Sequence, residues 1–100
     1  MKSAQQKIKR FVRDNHLEIK PEYRALDIVA ETGDIAKEVL RATEFGAKES
    51  AFKEEIRHEM GELLFSLICL ANTYDVDLEK TLDEVLIKYR KKIEESSKFR

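Results

Sequence analysis

The chain has 100 residues, enough for one domain near the small end of what sustains its own core. Nineteen Lys and Arg against twenty Asp and Glu leave a net charge of −1, without the basic excess of a nucleic-acid-binding surface. A single cysteine excludes an intrachain disulfide, the first residues lack the apolar stretch of a signal peptide, and no apolar run reaches the roughly 18 residues of a membrane span. The expected setting is cytoplasmic.

One proline, three glycines and abundant Glu, Lys, Leu and Ala favour helices. The first helix is predicted from about Lys2 to Asp14, with Ile8, Phe11 and Val12 on one stripe. Pro21 suits the first turn of a second helix running to about Thr43, because that turn needs no proline N–H. Gly46 interrupts the pattern, and Ser50 is a candidate N-cap for a third helix reaching about Tyr74. Asp77 would cap the fourth, whose apolar face is Leu82, Val85, Leu86, Tyr89 and Ile93. No segment alternates with period two. The expected fold is all-α, one domain over residues 1–100 with four helices. The run from Met60 to Ala71 is apolar nearly all round, so a bundle completed by further copies, a homodimer or homotetramer, is expected.

Two helices carry the same acidic ladder. Positions i, i+4, i+7 and i+11 fall on a narrow arc of a helix, and Asp27, Glu31, Asp34 and Glu38 have that spacing. So do Glu55, Glu59, Glu62 and Ser66. An acidic stripe is ordinarily a solvated outer face. Here neither is interleaved with lysine at i+4, and Glu62, Glu31 and Asp34 stand among apolar neighbours, where carboxylates need a cation or a proton. A hard divalent ion with oxygen ligands supplies the cation. Residues three apart are about 4.5 Å apart along the axis, so carboxylates can share ions, and Mg²⁺ leaves positions open for water and phosphate.

At these residues the sequence resembles the all-α nucleotide pyrophosphohydrolases of the MazG-like kind, whose mark is Glu-x-x-Glu on one helix and Glu-x-x-Asp on the next. The first half reads Glu31-Thr-Gly-Asp34, and the second reads Glu59-Met-Gly-Glu62. Val76-Asp77-Leu78 and Lys88-Tyr-Arg-Lys-Lys92 look like the family's tail. The similarity extends over residues 20 to 93. Asp34 stands where glutamate is usual and Glu62 where aspartate is usual. The resemblance implies an enzyme that hydrolyses a (deoxy)nucleoside triphosphate to the monophosphate and pyrophosphate with Mg²⁺, or Mn²⁺ in its place. Glu31, Asp34, Glu59 and Glu62 would hold metal. Glu31, Glu38 and Glu59 would take part in catalysis, with Glu38 holding a further ion or orienting the water.

Lys88 and Lys92, one turn apart, would meet the triphosphate, although basic residues near a chain end also complement a helix C-terminus. Asn72 is a candidate contact to base or ribose. Two rivals stand beside the hydrolase. One is a di-iron bundle using Glu55-x-x-His58. The other is a non-catalytic helical oligomer of the same fold. Phosphoribosyl-ATP pyrophosphohydrolase, from the same superfamily, fits less well because a Lys-Lys pair ahead of the first acidic motif is missing.

Overall fold

The computed structural model of the protein describes residues 1–49 and 53–97. Four α-helices follow in order: α1 (Lys2–Asp14), α2 (Pro21–Ala42), α3 (Glu54–Thr73) and α4 (Leu78–Ser97), with no strand among the described residues. The sequence-based bounds agree closely. Pro21 occupies the first turn of α2. Asp77 Oδ1 accepts the Lys80 amide at 3.1 Å, the side-chain cap expected for α4. Ser50 lies outside the described residues. The N-cap position of α3 is Lys53, with no side-chain cap bond.

The first three helices end alike. Each closes with two backbone bonds, one spanning five residues and one spanning three, as in Leu17 N to Val12 O and His16 N to Arg13 O. The residue in the left-handed region is His16 after α1, Glu44 after α2 and Asp75 after α3, at φ of 54°, 48° and 54°. Glycine is the usual occupant of that position. Phe45 and Gly46 continue with positive φ after α2.

α2 packs along α3, and α1 crosses α3. α3 is accordingly the central helix: Ile68 is completely buried, and Ser66, Cys69 and Ala71 are nearly so. Phe11 of α1 meets Phe65 edge-on with centroids 6.2 Å apart. A polar latch fixes α1. Gln5, the buried residue of that helix, donates through Nε2 to Asn72 Oδ1 (3.1 Å) and the Val76 carbonyl (2.8 Å). Its Oε1 accepts the Leu78 amide at 2.9 Å, and Asn72 Nδ2 donates to the Gln5 carbonyl at 3.0 Å. Among the described residues α4 makes no extensive contact with another helix, and Leu82, Leu86, Ile87 and Tyr89 are exposed. The uniformly apolar stretch of α3 is covered on one side only, leaving Met60, Leu64 and Leu67 exposed.

Candidate metal and nucleotide site

Packing α2 on α3 brings the two acidic ladders together. Glu59 of α3 is half-buried, and its carboxyl is pushed above its ordinary 4.5 by desolvation first, then by Glu62, Asp34, Glu38 and Glu31. The three α2 carboxylates therefore act on an α3 carboxylate, which is what two facing ladders require.

Arginines bracket the α2 ladder. Arg24 Nη1 lies 3.8 Å from Asp27 Oδ2, and Arg41 donates to Glu38 Oε1 at 3.1 Å. On α3, Glu54 pairs with Arg57 at 2.9 Å. The middle is different. Among the described residues none of Glu31, Asp34, Glu59 and Glu62 takes part in an ion pair or a side-chain hydrogen bond. Glu31 Oε2 and Glu59 Oε2 are buried with no hydrogen-bond partner. An orphaned anionic oxygen is expensive to bury, and a hard cation is the partner suited to it. The donor set therefore fits a divalent ion of the Mg²⁺ type. Within the single chain no group of three or more Asp, Glu, His or Cys closes a metal cage among the described residues. Asp34 and Glu62 are exposed. In sequence Glu62 stands within the apolar run of α3, as Glu31 and Asp34 stand among apolar neighbours on α2. The helix turns those neighbours away from Glu62, and the buried oxygens belong to Glu31 and Glu59.

The remaining candidates are spread out. Glu38 borders the set but is held by Arg41. Lys88 and Lys92 are exposed on α4, which does not pack along the carboxylate-bearing helices. Asn72 lies about 15 Å along α3 from Glu62, by the rise per residue, and its amide is engaged on both sides by Gln5, keeping one further N–H and one lone pair. His58 is exposed, with Nε2 4.0 Å from Glu54 rather than at Glu31 or Glu59. Sequence reading missed Arg24 and Arg41. Their signal was available in the i,i+3 spacing Arg24–Asp27 and Glu38–Arg41. Nothing in the sequence marked Gln5.

Four helices with two facing carboxylate pairs define an all-α helical class, and comparison gives the family within it. Residues 19–97 match the MazG nucleotide pyrophosphohydrolase domain, and the chain belongs to that family. A crystal structure of a Bacillus-conserved MazG protein, a nucleotide pyrophosphohydrolase, superposes with a TM-score of 0.74 at 26% identity, over 88% of this chain and 86% of that one. The crystal structure of YpjD from Bacillus subtilis gives 0.72 at 31% identity, over 89% and 91%. In sequence, YpjD of Bacillus subtilis strain 168 is 36% identical over 63 residues, 62% of this chain and 57% of that protein. The aligned stretch thus spans little more than half the length of that relative.

Proposed function

We propose that the protein hydrolyses (deoxy)nucleoside triphosphates to the monophosphate and pyrophosphate in a Mg²⁺-dependent reaction, with Mn²⁺ as a substitute, in the cytoplasm. The carrying observation is the set of four unpaired carboxylates on facing helices, two of them with buried, partnerless oxygens. Family membership supports the reaction class.

Glu31, Asp34, Glu59 and Glu62 would hold the metal. When bound, the ion neutralises charge on the phosphates and lowers the pKa of a water. The carboxylates hold that water against phosphorus. The proton the water loses as its oxygen attacks would pass to a carboxylate oxygen of Glu31, Glu38 or Glu59 that the ion does not engage. The bond between the α- and β-phosphoryl groups breaks, and pyrophosphate leaves with the bridging electron pair. Arg41 holds Glu38 at the rim, where its free oxygen can orient the water. Lys88 and Lys92 would neutralise the phosphates from a second copy of the chain, since among the described residues α4 does not pack extensively on α2 or α3 of its own. The exposed apolar residues of α3 and α4 support such a homodimer or homotetramer.

Pyrophosphate release, measured over a panel of nucleoside triphosphates with Mg²⁺, tests the reading. Turnover should fall by two or more orders of magnitude in Glu31→Gln and in Glu59→Gln, on the scale of losing a charge-stabilising group at a reacting centre. His58→Ala should keep it. No release with any nucleotide, or loss of bound iron together with activity in His58→Ala, would overturn the proposal, the latter in favour of a di-iron centre.

A further inference from the structure

A cavity of about 220 Å³ lies where α1, the segment after it and the C-terminal half of α3 meet, and the carboxylate chemistry makes no use of it. Val12, Ile19 and the Cys69 thiol give it apolar walls, and Lys9, Arg13 and Glu18 give its exposed side charges of both signs, two basic and one acidic. Its buried cation is Arg24, 9% exposed.

Arg24 is held rigidly but is sparsely satisfied. One Nη2 bond reaches the Leu17 carbonyl at 2.9 Å, the guanidinium sits 5.5 Å from the centre of the Phe65 ring, and Asp27 is a loose partner at 3.8 Å. A guanidinium has five N–H donors, and among the described residues only one is hydrogen-bonded. A largely buried guanidinium with free donors, lining a cavity, is placed to meet an acceptor that enters from outside.

The location relates it to the metal ligands. Seven residues separate Arg24 from Glu31, and seven separate Cys69 from Glu62. Each pair therefore lies on one helix face within about 20°, some 10.5 Å apart along the axis. That is about the length of a nucleoside, so a nucleotide whose phosphates lie at the carboxylates carries its base to the level of Arg24. The electrostatic influence of both Arg24 and Glu31 on the Cys69 thiol agrees with this placement.

We infer that this cavity receives the nucleobase and that Arg24 makes the site selective for 6-oxopurines, whose O6 and N7 accept two parallel N–H bonds from one guanidinium fork. The inference rests on the nucleotide reading of the carboxylate site. Adenine presents N7 beside an amino donor, so one arm of the fork would meet a donor. Uracil and thymine present a single acceptor on that edge, and cytosine a donor. Apolar walls suit the faces of a bicyclic ring.

Two measurements test it. In the first, kcat/KM with Mg²⁺ is compared for dGTP and dITP against dATP, dCTP and dUTP. The 6-oxopurines should lead by about tenfold or more, the discrimination of one bidentate pair. Arg24→Lys keeps the charge and the stem but loses the fork, so it should remove that lead through KM, bringing dGTP and dITP down to the level of dATP measured with the same variant. Thr73→Phe, at an exposed position on the cavity lining, should raise KM for every nucleotide while leaving the Mg²⁺-induced rise in melting temperature intact. In the second, binding of dGMP and dAMP in the presence of Mg²⁺ is followed by calorimetry, with no turnover required. dGMP should bind more tightly, and Arg24→Lys should equalise the two. Equal wild-type affinities, or an Arg24→Lys loss spread evenly over all bases, would overturn the inference even if every nucleotide is hydrolysed. Selective dGMP binding without hydrolysis of any triphosphate would sustain the cavity's role and overturn the pyrophosphohydrolase reading instead.

Discussion

A half-buried carboxylate facing four others gains little from being ionised, and Glu59 is in that position. Its folded-state pKa is raised, so the proton is held more tightly in the folded chain than in the unfolded one. The contribution of this group to stability is therefore fully present below about 4.5 and is lost as pH rises through the raised value. Glu59→Gln keeps the shape and removes the repulsion. Without metal, its melting temperature at neutral pH should exceed the wild type's, and the difference should shrink on acidification through that window. Saturating Mg²⁺ should raise the wild-type melting temperature and the mutant's much less, because the ion stabilises only the form that binds it. Thermal melts in EDTA and in Mg²⁺ check both. A mutant with the wild-type Mg²⁺ response would show that Glu59 is not a ligand. Arg41 pairs with Glu38 and Arg24 stands loosely beside Asp27, both at the ends of the α2 ladder, and the central carboxylates have no ion-pair partner among the described residues.

Helix ends show why much of this fold could be read in advance and some of it could not. Pro21 and Asp77 are residue types whose local chemistry fixes a helix start, and the chain uses both as expected. Helix stops are usually marked by glycine, yet α1, α2 and α3 end on His16, Glu44 and Asp75. Side chains in that conformation are strained by roughly 1–2 kcal/mol. The sequence carries no sign of them, and their positions follow from where the apolar faces must stop. His16, for which the sequence suggests no role, is thus a helix terminator, exposed and at φ 54°. His16→Gly should stabilise the fold by about 1 kcal/mol, measured by urea unfolding. A destabilised variant would mean that the imidazole makes a contact outside this chain. The acidic ladders were legible for a different reason. Seven-residue spacing puts carboxylates on one face of any helix, but which oxygens are buried depends on how α2 lies against α3, and that is a tertiary property.

A compact domain of this length has a radius of gyration near 13 Å, whereas this chain has 17.3 Å and measures 53 × 37 × 23 Å. α4 is a twenty-residue helix that, among the described residues, makes no extensive contact with the other helices, which accords with the larger radius. Leu86 is 48% exposed and Leu82 51%. Together with Leu64 and Leu67 of α3, at 43% and 41%, they leave more apolar surface than a small monomer ordinarily presents. Sedimentation of the wild type should show more than one chain, and its melting temperature should rise with concentration. Leu82→Glu combined with Leu86→Glu should shift the protein to single chains. A wild-type monomer at micromolar concentration would rule out the assembly. The nearly all-round apolar run of α3 is the sequence feature behind this expectation, and in the single chain it leaves Met60, Leu64 and Leu67 exposed.

The Gln5 latch has a dynamic consequence. Its single side chain ties α1 to the α3–α4 turn and also occupies the first amide of α4, that of Leu78. The Leu78 proton can reach bulk water only when α1 lifts away, so its hydrogen exchange reports the opening of one helix rather than unfolding of the whole chain. In Gln5→Ala that amide should exchange many times faster, while amides deep in α3, such as that of Ile68, keep their slow rates. Equal acceleration at both would show that α1 and α3 come apart as one cooperative unit.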